Sequence, residues 1–109
     1  MATTNPDFAT QKVTDRNTSV LARFTPVAGV TMEQYDETVR RLEKAGDWLP
    51  DGLAYHVAFK SNGTLRVSEI WDSQEQLDAF GERLMPLLAD VGIDPGKPEI
   101  LEIHNIIRR

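Results

Sequence analysis

Residues 53–74 read LAYHVAFKSNGTLRVSEIWDSQ, and the middle of this stretch decides the fold. Asn62-Gly63 is the dipeptide best suited to a two-residue hairpin turn, because both central residues must take positive φ. It separates two runs rich in β-branched and aromatic residues, 53–60 and 64–72, which read as paired strands. With a two-residue turn, Ser61 pairs with Thr64 and the register runs outward from there. Lys60 meets Leu65, Phe59 meets Arg66, Ala58 meets Val67 and Val57 meets Ser68. His56 then lies opposite Glu69, and Ala54 opposite Trp71. Opposed residues share a face, with Cβ atoms about 5 Å apart. A carboxylate, an imidazole and an indole therefore come to one face, and the small Ala54 and Ala58 leave room beside them.

The chain downstream reads as a helix and a strand. Ser73 and Gln76 have the spacing of a capping box. Leu77, Phe80, Leu84, Leu87 or Leu88, and Val91 follow at helical intervals. Pro86 removes a donor inside this helix and predicts a kink near Glu82. Gly92 ends it, and EILEIHNII, 99–107, reads as the last strand. Upstream, SVLARFTP, 19–26, is strand-like and stops at Pro26. Thr31 and Gln34 form a second S/T-x-x-Q signature, and Met32, Tyr35, Val39 and Leu42 make an apolar helical stripe. Gly46 is the expected stop, and a turn over 47–52 carries Trp48.

The order β-α-β-β-α-β predicts an α+β, ferredoxin-like domain over 18–109: a four-stranded antiparallel sheet with two helices on one face. The first 17 residues are polar, rich in Thr, Asn and Asp, and read as a flexible tail. The strands do not alternate cleanly. Tyr55, Val57 and Phe59 share one face, while Ala54, His56 and Ala58 share the other. The last strand sets Leu101, Ile103 and Ile107 against Ile100 and Ile106. Two helices cover one face only, so a sheet apolar on both faces calls for a second cover. A second copy of the chain, sheet against sheet, is the simplest one, and a homodimer is expected.

Composition narrows the function. With 109 residues the chain is long enough for one domain and one core. A formal net charge of −5 and scattered Lys and Arg argue against a nucleic-acid partner. The absence of cysteine excludes thiolate catalysis and Cys-ligated metals. No apolar run is long enough to span a bilayer. The N-terminal stretch lacks the apolar centre of a secretory signal, so a cytoplasmic location is expected.

The candidate site is the His56–Glu69 pair. Histidine titrates near working pH, and a neighbouring carboxylate fixes its tautomer and stabilises its cation, which suits a general base. The same pair also has a structural reading. At a surface it is worth about 0.2–1 kcal/mol; in a core it is partner-satisfying, because an unpaired buried polar group costs about 1–3 kcal/mol. Trp71 reads as a substrate-stacking residue or as core. Trp48 reads as a pocket lid or as a packed loop residue. Arg23 is a candidate substrate contact, or an interface arginine paired with a carboxylate such as Glu102. Tyr35 and Tyr55 read as packing residues. No helical spacing or fixed register brings His104 to His56, so no metal site is expected, and no phosphate-binding glycine loop appears.

The element order, the two-faced sheet and the segment Glu69-Ile70-Trp71-Asp72-Ser73-Gln74-Glu75 followed by Phe80 resemble the antibiotic-biosynthesis-monooxygenase-like family of dimeric α/β barrels. The resemblance spans roughly 19–107. It implies a homodimer and a pocket between sheet and helices, with Trp71 at the position of the family's pocket tryptophan. The family includes cofactor-free monooxygenases acting on electron-rich aromatic polyketides, haem-degrading enzymes and members of no known activity. The haem-degrading branch carries a helix histidine about ten residues after that tryptophan; this chain has AFGERL there, with Gly81 and no histidine, and Arg23 in place of a strand-one asparagine. The expected function is therefore a small-molecule enzyme resembling cofactor-independent monooxygenases, needing no metal, flavin or haem. Its substrate would be an electron-rich aromatic or quinol-like compound. The alternatives are an isomerase or cyclase using the same base, and a non-catalytic dimeric binding or stress-associated module.

Overall fold

Asn62 at φ 52° and Gly63 at φ 80° complete the hairpin in two residues. The strands they join are β2, Leu53–Ser61, and β3, Thr64–Trp71. In the computed structural model, which describes residues 18–109, the other elements are β1 (Val20–Phe24), α1 (Met32–Lys44), α2 (Gln74–Val91) and β4 (Glu99–Glu102). The tail assigned to residues 1–17 lies outside the described residues. The sheet order is β2-β3-β1-β4 with every neighbouring pair antiparallel, which is the ferredoxin-like arrangement.

The expected register holds from Ser61–Thr64 to His56–Glu69. It breaks one residue further on. An irregularity between Leu53 and Tyr55 puts Leu53, not Ala54, opposite Trp71. A bulge inserts one residue and moves everything beyond it to the other face. Ala54 is exposed as a result, so it makes no room beside His56, and Leu53 packs against the core instead.

Both helices start where the chain provides a capping side chain. At α1 the box is complete: Gln34 N–H donates to Thr31 Oγ1 at 3.0 Å, and Thr31 N–H donates back to Gln34 Oε1 at 2.9 Å. At α2 only half of it forms. Gln76 N–H donates to Ser73 Oγ at 3.2 Å, but Gln76 Oε1 takes the Ser73 hydroxyl rather than a backbone N–H. Gly46 and Gly92, at φ 78° and 84°, close the two helices in the left-handed conformation that glycine adopts without strain. α2 continues through Pro86 without interruption.

β4 is shorter than its apolar run. β1 begins at Val20, whose partner is Glu102, so the ladder has no β1 residue left to pair with and stops. A last hydrogen bond joins Ile103 N–H to the Ser19 carbonyl at 3.3 Å. Ile107 is fully outside the sheet and exposed.

The core lies between sheet and helices. Val20, Ala22, Phe24, Trp71 and Ile100 supply it from the sheet, and Leu42, Leu77 and Phe80 from the helices. Among the described residues no helix is long and apolar enough to cross a membrane.

Candidate active site

The sheet face under the helices carries one polar row in an apolar layer. β2 and β3 place His56 beside Glu69, and β1 continues the row with Ala22, which is 0 % exposed and adds no bulk. The His56 Nδ1 to Glu69 Oε2 distance is 2.7 Å. Glu69 is buried, so its charge depends on these partners rather than on water. Its second oxygen accepts the Trp71 indole N–H at 2.9 Å. Both carboxylate oxygens are thus held by donors from the same sheet face.

The other ring nitrogen reaches the helix layer. His56 Nε2 lies 2.7 Å from the Tyr35 hydroxyl, which α1 presents one turn after its cap. The Glu69 carboxylate only accepts, so Nδ1–H donates to it, Nε2 is the acceptor and the Tyr35 O–H donates to Nε2. Burial first, then the negative charges of Glu69 and Asp36, hold the Tyr35 hydroxyl above its ordinary value of 10.0. The tyrosine is therefore neutral at working pH and able to donate. Trp48 closes the other side of the imidazole edge-on, with centroids 5.0 Å apart and planes at 90°. The result is one continuous chain, Tyr35–His56–Glu69–Trp71.

This chain borders a cavity of about 100 Å³, well above the about 10–15 Å³ that one water requires. Its wall is mostly aliphatic and includes Val39, Leu42, Leu84 and Leu88 from the helices and Leu65 and Val67 from β3. Tyr35, Thr38, His56, Glu69 and Trp48 bring the only polar side-chain atoms to it among the described residues.

The residues singled out in the sequence fall into three groups. His56, Glu69 and Trp48 line the cavity together. Trp71 does not. It is 0 % exposed, packs on Phe80 at a centroid distance of 5.6 Å and stands behind Glu69, so its place is that of an orienting donor rather than a stacking surface. Arg23 points to the opposite face of the sheet, in the row of Val57 and Ser68, with Glu99 at 4.0 Å rather than Glu102 as its nearest carboxylate. His104 is exposed beyond β4. Tyr35, read together with Tyr55 as a packing residue, is the further residue that the structure brings into the site. Its position on the apolar stripe of α1 carried a signal, since a tyrosine there brings a hydroxyl under the helix that needs a buried partner.

No protein-family model matches the chain, and no characterised protein matches it in sequence. Solved structures do match in fold. An antibiotic biosynthesis monooxygenase, so proposed, from Deinococcus radiodurans superposes with a TM-score of 0.56 at 14 % identity, covering 83 % of this chain and 97 % of its own. SnoaB, a cofactor-independent oxygenase from Streptomyces nogalater, gives 0.53 at 10 % identity, over 84 % of this chain and 96 % of its own. A conserved Bacteroides thetaiotaomicron protein of unknown function, named as a possible oxidoreductase, gives 0.55 at 14 % identity, over 80 % and 99 %. The chain has the ferredoxin-like fold of antibiotic-biosynthesis-monooxygenase-like proteins, and it spans nearly the whole of each of these neighbours.

Proposed function

We propose that this chain is a small-molecule enzyme of the cofactor-independent oxygenase type, acting on an acidic, electron-rich aromatic or quinol-like compound. The observation that carries the proposal is the Tyr35–His56–Glu69 hydrogen-bond chain at the edge of an apolar cavity. The fold shared with SnoaB supports it. His56 is the base, and Glu69 holds the imidazole in the tautomer that leaves Nε2 as acceptor and stabilises the imidazolium once the proton arrives. A substrate anion, held away from water, supplies the electrons itself. Its carbon forms a C–O bond to O₂, the resulting peroxide anion takes a proton to become a hydroperoxide, and loss of water, by removal of the remaining C–H proton and cleavage of the O–O bond, leaves a carbonyl. This sequence asks for no metal, flavin or haem. The working form is a homodimer in which the outer sheet faces of two copies cover each other.

A second reading is favoured by one observation. Both nitrogens of His56 are already hydrogen-bonded within the chain, which is what a purely structural pair in a binding module requires. Oxygen uptake by chelator-treated protein with anthrone or a dihydroquinone decides between the two. Base catalysis contributes about 10²–10⁴-fold, so His56→Ala and Glu69→Gln are expected to lose much of the rate. Equal rates in all three proteins would make the pair structural.

A further inference from the structure

The hydrogen-bond inventory of the cavity wall leaves little choice about where a ligand's acidic hydroxyl can go. A neutral imidazole has one donor and one acceptor, and His56 has spent both, on Glu69 and on Tyr35. The Glu69 oxygens hold the His56 and Trp71 donors. The Thr38 hydroxyl donates to the Gln34 carbonyl at 2.8 Å, inside its own helix. The Trp48 indole N–H donates only. Tyr35 is different. Its single proton is committed to His56 Nε2, but a phenolic oxygen also accepts, and nothing on the wall donates to it among the described residues. Everywhere else the wall is Val, Leu, Ile, Phe and Pro.

We propose that Tyr35 is the residue that meets the substrate, and that the substrate carries one acidic hydroxyl on an otherwise hydrocarbon body. The substrate O–H donates to Tyr35 Oη. As its O–H bond breaks, a new one forms at Tyr35, the original Tyr35 O–H bond breaks, and that proton bonds to His56 Nε2. The substrate is left as its oxyanion, Tyr35 is again neutral, and the imidazolium sits against the Glu69 carboxylate. Protons and charge balance without a further reactant. A second hydroxyl at the far end of the ring system, away from Tyr35, Thr38 and Trp48, would face aliphatic wall and lose its water without a partner. This assignment rests on His56 acting as the base, and it makes Tyr35 the catalytic contact through which that base works.

Two experiments test it, and they fail separately. The first needs no turnover. Titration of the protein with 2-naphthol, naphthalene and 2,6-dihydroxynaphthalene is expected to rank 2-naphthol tightest. An unpartnered buried hydroxyl weakens binding about 5- to 150-fold, which is the range expected between 2-naphthol and the diol. Tyr35→Phe is expected to bring 2-naphthol down to the affinity of naphthalene and leave naphthalene itself unchanged. The chain has two tyrosines, so a Tyr55→Phe chain grown on 3-fluorotyrosine carries its label at position 35 alone. Its fluorine line is expected to move with 2-naphthol and much less with naphthalene. Equal affinities, or a line that ignores the hydroxyl, overturn the contact. The second experiment is oxygen uptake with anthrone, whose enol bears one hydroxyl. Tyr35→Phe is expected to lose as much rate as His56→Ala. A His56→Ala loss with Tyr35→Phe at full rate overturns the relay and leaves His56 as a direct base. Full rate in both variants overturns the base itself.

Discussion

Two neighbouring rows of side chains cross this sheet, one residue apart along every strand and on opposite faces. The inner row is His56–Glu69–Ala22–Ile100, and the outer row is Tyr55–Ile70–Leu21–Leu101. The inner row contains the charge and is dry: Glu69 is 6 % exposed and Ile100 5 %. The outer row is uncharged, with one phenol hydroxyl among hydrocarbon, and is wet at its ends: Tyr55 is 55 % exposed and Leu101 39 %, with Leu21 and Ile70 half-buried between them. Burial and polarity are thus inverted between the two. The inner row resolves the conflict inside the chain, with a hydrogen bond for each ring nitrogen and each carboxylate oxygen. The outer row has no such solution in a single copy, because both helices lie on the other side. A second chain is what would dry it.

The largest effect is expected from charging the outer row. Tyr55→Glu combined with Leu101→Glu places two carboxylates at opposite edges of that row. If a partner covers it, each unpaired buried charge costs several kcal/mol, and the assembly falls apart. If the face is free, surface changes of this kind stay within about 0.5 kcal/mol and nothing happens. Light scattering coupled to size exclusion is expected to give twice the 12.3 kDa chain mass for the wild type and the single mass for the variant. A wild-type monomer at micromolar concentration would remove the homodimer and leave the outer row as solvent-facing hydrocarbon.

Next in size is Trp71→Ala, which acts on the inner face. Replacing a fully buried tryptophan costs about 3–5 kcal/mol, and here it also takes the N–H away from Glu69 Oε1. Urea unfolding of Trp71→Ala and Tyr55→Ala under the same conditions is expected to show a much lower midpoint for the first. Comparable losses would mean that the two faces contribute alike and that their contrast in burial has little energetic content.

The contrast is partly legible in the amino-acid sequence. Asn62-Gly63 admits one kind of turn, a turn of two residues admits one register, and the register pairs His56 with Glu69. That inference used short-range rules only. It failed at Ala54, where a bulge slips the strand by one residue inside a run that itself holds no glycine or proline. For Trp71 it left stacking residue and core both open. Alternation tells which face a residue takes, but depth depends on what packs over it, and Phe80 arrives from α2. Tyr35 was out of reach for a related reason. Helical periodicity placed it on the buried stripe of α1, yet which strand residue it meets is set by how the helix lies across the sheet, and no local pattern encodes that. β4 ended early because a strand needs a partner as well as a sequence, and β1 had none left to offer beyond Val20.

The smallest effect tests the dryness of the inner row through its helix-borne end. Tyr35 is held above 10.0 by burial first and then by the charges of Glu69 and Asp36, so the folded chain prefers the neutral phenol more than the unfolded chain does. Between 10.0 and the folded value the folded state binds more protons than the unfolded state. This contribution to stability is therefore complete below 10.0 and is lost as pH rises through the folded value. A single proton limits the slope to about 1.4 kcal/mol per pH unit. Tyr35→Phe carries no such proton and escapes that part of the alkaline decline. Urea unfolding of both proteins, followed upward from about pH 9, is expected to show the wild-type advantage shrinking once the ordinary tyrosine range is passed. A gap that stays constant would mean that Tyr35 ionises as freely in the fold as in the open chain. The hydroxyl would then sit in water, and the helix end of the inner row would be as wet as the outer one.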